Sequence, residues 1–117
     1  MNENEATRRR TMKIGIVSTD GKNVNDHFGK AERFLIYEAG TAAPASITER
    51  KISPLSTGDK SHQFDAARFN AVAKALEGCQ RVYCTRIGDR PRQELEKRGI
   101  MPIIYEGPIV AIRTTAE

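Results

Sequence analysis

An α/β fold built on one five-stranded mixed sheet is the architecture this sequence predicts, and three observations lead to it. The first half of the chain holds three strand-like segments joined by turn-forming residues. The second half alternates segments of helical spacing with two further strand-like runs. The length, 117 residues, suits one hydrophobic core and one domain. Short turns make the first three strands an antiparallel meander, whereas crossovers through helices demand parallel pairing. The economical strand order is then 3-2-1-4-5, with the helices flanking the sheet.

The elements follow in order. Met1–Thr11 reads as a flexible N-terminal extension, and residues 12–117 as the domain. Met12–Ser18 (MKIGIVS) places Met12, Ile14 and Ile16 on one face of a first strand. Thr19-Asp20-Gly21-Lys22 is turn chemistry. Arg33–Ala39 (RFLIYEA) is a second strand, apolar on both faces, and Gly40–Pro44 a turn. Ser46–Ile52 is a third strand whose Thr48-Glu49-Arg50-Lys51 run suits a sheet edge. Ser53–Phe64 lacks periodicity and reads as a loop. Phe69, Val72, Ala73 and Leu76 recur at helical spacing within Asp65–Glu77, with Asp65 as the N-cap and Gly78 as the stop. Arg81–Thr85 is a fourth strand. Pro91–Arg98 is a helix with proline in its first turn and Gly99 after its end. Pro102–Tyr105 is a fifth strand, and Pro108–Thr114 a last short helix carrying Ile109, Val110 and Ile112.

Composition narrows the function. Hydrophobic residues make up 38% and charged residues 29%, which fits a globular domain and not a disordered one. No apolar run approaches the roughly 20 residues that span a bilayer. The N-terminal arginines lead into no apolar core, so no secretory signal is read and a cytoplasmic location is expected. Two cysteines, Cys79 and Cys84, are too few for a disulfide scaffold or zinc knuckle. The net charge of +4 suits an anionic small ligand as well as it suits nucleic acid. With 6% aromatic residues and no recognition motif, nucleic acid is the weaker of the two.

The predicted topology has a switch point. The first strand pairs antiparallel on one side and parallel on the other, and ligands of open α/β sheets favour the crevice at such a place. The loops after strands one, three and four emerge there together. They carry His27, His62, and Cys84 with Ile87-Gly88-Asp89. These are the only histidines of the chain. His27 lies in VNDHFGK, where Asn25, Phe28 and Gly29 could orient the ring and let backbone approach a ligand. Phe28 reads as a plug burying the loop, and Asn25 as a turn residue bonding its own backbone. His62 reads as a solvated residue unless a ligand orders its loop. Cys84 alternates with Val82 and reads as a small core residue, Cys79 as structural. No nucleophile elbow, P-loop, dinucleotide fingerprint or His-Glu-x-x-His motif occurs. Asp20 follows the first strand without a second inward carboxylate to hold paired cations, so two-metal hydrolysis is not expected.

Two quoted stretches resemble a known family. KIGIVSTDGKNVNDHFGKAERFLIYE and, later, IGDRPRQELEKRGIMPI are similar to the nitrogenase iron–molybdenum cofactor biosynthesis domain. It is the domain of NifX, of the NafY core and of the NifB C-terminus. The resemblance covers about Met12 to Ile112, and Val-Asn-x-His-Phe-Gly is its most specific part. It implies a ribonuclease H-like fold without nuclease activity. It implies a non-enzymatic carrier of an iron–sulfur cluster or iron–molybdenum cofactor precursor, passed between cluster-assembly and acceptor proteins. It also makes His27 the candidate cofactor contact and metal ligand. One imidazole suits a cluster that must be handed on, because four thiolates would retain it. Lys30, Arg86 and the backbone N–H groups around Gly29 and Gly88 could balance the anionic charge, with Asn25 and His62 at the margin. The alternative is a regulatory or interaction domain of the same fold that binds no cluster.

Overall fold

β1 (Met12–Ile16) sets the layout because it is the central strand and meets a separate core on each face. Ile14 and Ile16 point to one face. Gly15 points to the other, where a Cβ would lie 2.5 Å from the buried Leu76 Cδ2. In the computed structural model, which describes residues 11–52 and 66–114, six further strands and two helices follow. They are β2 (Asn23–Val24), β3 (Arg33–Ala39), β4 (Ala45–Lys51), α1 (Ala66–Ala75), β5 (Arg81–Cys84), α2 (Asp89–Lys97), β6 (Met101–Ile104) and β7 (Gly107–Pro108). Of the expected tail only Thr11 is described. The 53–64 loop, its His62 and the Asp65 cap lie outside the described residues.

The main sheet runs β4-β3-β1-β5-β6. β1 and β3 are antiparallel, Met12 opposite Ala39 and Ile16 opposite Leu35. β5 pairs parallel with β1 and with β6. Among the five strands of this sheet, the first in sequence is therefore central. A register shift between Ile36 and Tyr37 leaves Ile47 of β4 as an extra residue, a bulge on the edge strand. On the opposite edge, Met101 and Tyr105 donate their N–H groups to Gln80 and Cys84 of the β5 side. By alternation the nitrogen of Pro102, which carries no hydrogen, faces away from the sheet.

The helices end as their sequences dictate. Gly88 is the N-cap of α2, and Pro91 falls in its first turn, where a missing N–H costs nothing. After Arg98, Gly99 takes φ +78 and donates to the Glu96 carbonyl (3.0 Å), while Ile100 donates to the Leu95 carbonyl (3.0 Å). This is the paired bonding of a Schellman ending, and Leu95 and Ile100 are both buried in one core as it requires. At the end of α1, Arg50 reaches across from β4 and donates to the carbonyls of Ala75 (2.9 Å) and Glu77 (3.2 Å).

One core lies under the helices and gathers Phe28, Phe34, Phe69, Leu76, Val82 and Leu95. The other, on the opposite face, gathers Ile14, Ile16, Val24, Tyr83, Ile109 and Ile112. The expected last helix over Pro108–Thr114 is corrected here. Gly107–Pro108 pairs with Asn23–Val24, and only Ile109–Ala111 turns, as a 3-10 helix. The chain is extended again at Ile112 (φ −69, ψ 130), and the Thr114 N–H reaches the Gly40 carbonyl at 2.9 Å. A three-residue turn is enough to send Ile109 and Ile112 into the same core, so the apolar spacing mimicked a longer helix.

Candidate functional site

The carboxyl ends of β1 and β5 form the candidate site, and its loop is built in two stages. Val17 continues β1 by donating to the Tyr83 carbonyl (3.0 Å). The next turn is organised by Asp20, whose Oδ1 accepts from the N–H groups of Lys22 (2.8 Å) and Asn23 (2.9 Å) and from Ser18 Oγ (3.1 Å). Its Oδ2 accepts from Asn23 Nδ2 (3.1 Å). These donors favour the charged form and hold the carboxyl far below the usual carboxylate range.

The second stage is a crossing. Val24 is buried in the core on one face and Phe28 in the core on the other. Asn25, Asp26 and His27 therefore carry the chain over the end of the sheet. The crossing is fastened to β5 just beyond its last residue. Thr85 donates to the Asp26 carbonyl (3.0 Å), and Phe28 donates to the Arg86 carbonyl (2.8 Å). A single parallel bridge thus pairs His27 with Arg86, and paired residues turn their side chains to the same side.

His27 is half-buried, because Phe28 pulls the loop down against β5. Its own N–H donates to Asp26 Oδ1 (2.8 Å), and among the described residues no hydrogen bond reaches its ring. The anchoring role expected of Phe28 is met: it is 1% exposed and packs against Phe34 with ring centroids 5.7 Å apart. Gly29 lies in the 3-10 turn Phe28–Lys30 at negative φ, a conformation open to other residues. Asn25 differs from expectation. Its amide bonds Thr19 across the loop, accepting the Thr19 N–H (2.9 Å) and donating to Thr19 Oγ1 (2.9 Å), instead of closing on its own backbone.

The other expected residues divide. Arg86 stands beside His27 through the bridge, and exposed Gly88 follows as the N-cap of α2. Exposed Lys30 lies on the β3–β4 side, in a cleft of about 460 Å³ shared with Thr19, Asp26, Arg33 and Glu49. Arg33 and Glu49 pair there at 2.8 Å. Cys84 is fully buried beneath the crossing, and desolvation pushes its thiol up to about 11. It is a protonated core residue at neutral pH. Thr19 and Asp26 were not singled out from the sequence. Thr19 read as part of a turn, and Asp26 fell at the unspecified position of the His-Phe-Gly motif.

A model of the dinitrogenase iron-molybdenum cofactor family matches residues 10–114. The chain belongs to this family. Among similar curated proteins, the FeMo cofactor biosynthesis protein NifB of Klebsiella pneumoniae is 37% identical over 93 residues, covering 78% of this chain and 20% of that protein. NifB of Frankia alni is 35% identical over 104 residues, covering 87% of this chain and 20% of that protein. The chain spans about a fifth of the length of these curated relatives. Among solved structures, a Thermotoga protein assigned to NifB and the DUF35 family, determined by NMR, aligns with a TM-score of 0.53 at 20% identity. That alignment covers 85% of this chain and 80% of the Thermotoga chain, and it shows a shared fold. In this member of the dinitrogenase iron-molybdenum cofactor family, no three metal-ligating side chains gather among the described residues. Of the two histidines, His27 is the one that falls among the described residues.

Proposed function

We propose that this chain serves iron–molybdenum cofactor biosynthesis as a non-enzymatic carrier of an anionic iron–sulfur cluster or cofactor precursor, with His27 as the protein ligand. The observation that carries the reading is a half-buried imidazole, fixed on the backbone by bonds on both sides, in a chain of the dinitrogenase iron-molybdenum cofactor family. The NifB relatives, named as FeMo cofactor biosynthesis proteins, support the same context. Arg86 on the same side supplies cationic charge, and the exposed N-terminal turn of α2 supplies a favourable dipole. A single exchangeable ligand suits transfer between cluster-assembly and acceptor proteins in the cytoplasm. The strand order supports assignment to the ribonuclease H-like class. Asp20, the carboxylate after β1, is committed to its turn, which argues against a nuclease role.

The test is anaerobic incubation with ferrous iron and sulfide, followed by desalting and measurement of retained iron and visible absorbance. His27→Ala should weaken retention by roughly tenfold or more, the scale on which disturbing a metal site's coordination acts. Its unfolding free energy should change by less than about 0.5 kcal/mol, as for substitutions away from packed features. Equal retention with a melting point several degrees lower would make His27 structural. A parent protein that holds no iron would favour the alternative, a regulatory or interaction domain of the same fold.

A further inference from the structure

We infer that Asn25 and Thr19 form a clasp that positions the His27 imidazole, so that Asn25 acts through His27 and not as a contact to the ligand. The inference rests on the carrier reading and deepens it. Two hydrogen bonds of 2.9 Å join the two residues, one to the Thr19 amide and one to its hydroxyl. Both functional ends of the Asn25 amide are therefore engaged by one partner six residues back in the chain. The backbone at Asn25 is otherwise held by a long bond, its N–H lying 3.4 Å from the Val17 carbonyl. Thr19 has its own tie to the sheet: its carbonyl accepts from Arg33 Nη2 at 3.4 Å, and Arg33 pairs with Glu49 of β4.

The consequence concerns the three-residue crossing. On its far side the path is fixed by the Thr85-to-Asp26 and Phe28-to-Arg86 bonds. On its near side Val24 is buried, but Asn25 comes before any bond to β5. Without the clasp, the peptide entering Asp26 would be set by that long bond and the Val24 anchor. The Asp26 carboxylate bonds the His27 N–H, so a rotation there shifts the backbone from which the imidazole projects. A ligand held by a single imidazole depends on that ring's direction, because no second ligand corrects it.

The experiment compares Asn25→Ala, Asn25→Asp and Thr19→Val with the parent in two measurements. NMR of the ligand-free protein reads the order and chemical shift of the His27 ring. Iron retention after anaerobic incubation with ferrous iron and sulfide reads binding. Asn25→Ala should move the ring signals toward those of an unstructured histidine and lower retention about tenfold, within the usual range for lost support of a metal ligand. Asn25→Asp keeps two acceptor oxygens for the Thr19 N–H and hydroxyl, and should restore the ring signals. Thr19→Val removes only the hydroxyl bond and should give an intermediate ring signal. This third variant also serves if Asn25→Ala fails to fold. A His27 ring unchanged in both Asn25→Ala and Thr19→Val overturns the clasp, and a disordered ring with undiminished retention overturns the claim that Asn25 acts on the ligand through His27. If the parent retains no iron, the carrier reading fails, and the ring signals alone decide whether the clasp orders His27.

Discussion

On one face of the sheet two helices and the turn after α1 press Phe69, Leu76 and Leu95 onto Phe34 and Val82, and every one of these is buried. On the other face, a two-residue ribbon and a 3-10 turn cover Ile14, Ile16 and Tyr83, leaving Leu35, Tyr37, Ile103 and Tyr105 only partly buried. Helices close a face continuously because each turn adds another inward side chain. A short ribbon contributes one, here Val24. The His27 crossing is anchored once in each core. What fixes the backbone of the crossing is therefore burial at both ends of a short span, with bonds to the β5 side between them.

That asymmetry can be broken experimentally, most forcefully at the two anchors. Phe28→Ala should lower the unfolding free energy by about 3–5 kcal/mol, because a large ring leaves a cavity in the helix-covered core. Val24→Ala removes two methyl groups and should cost about 1.5 kcal/mol. Urea titration of both variants is the measurement. A Val24→Ala cost equal to that of Phe28→Ala would mean that the lightly covered face is as firm as the other.

Gly15→Ala sharpens the comparison from within β1. The added methyl points at Leu76 on the helix side, so overpacking should cost about 1–3 kcal/mol. The same change in a Leu76→Ala background should cost much less. An unchanged penalty in the double variant would remove the claim of tight helix-side packing.

The smallest effect is expected at Asp20, whose turn leads into the ribbon. Its carboxyl is held below the usual value of 3.8, chiefly by the N–H groups of Lys22 and Asn23. A carboxyl depressed in the folded state stabilises it above its unfolded pKa, about pH 4, and ceases to as pH falls through the depressed value. Asp20→Asn should therefore have a lower urea midpoint than the parent at pH 7. The gap should close as the medium is made strongly acid. A gap that is constant with pH would mean that the turn uses the side chain's shape and not its charge.

Much of this fold was legible because the informative signals are local. Alternation marked Met12–Ile16, a run apolar on both faces marked Arg33–Ala39, and Gly99 at φ +78 did end α2 as its position suggested. The unread parts depend on distant partners. Asn23–Val24 and Gly107–Pro108 are too short to show a period and become strands only by pairing with each other. Phe28 was readable as an anchor, because a phenylalanine in a polar loop has few other uses. The Asn25 amide was not, since its partner Thr19 is reached across a turn that Asp20 shapes. Half-burial of His27 likewise follows from the fastening to Thr85 and Arg86, some sixty residues later in the chain.

Pro102 bears on how such a unit can be carried within a larger polypeptide. Its hydrogen-free nitrogen lies on the outward side of β6, where an added strand would need a donor, and the bulge at Ile47 spoils the ladder on the opposite margin. The sheet therefore offers poor templates to a neighbouring chain at both margins. Relatives about five times as long contain a matching segment, and a unit with blunted margins can be tethered beside other domains without zippering onto their strands.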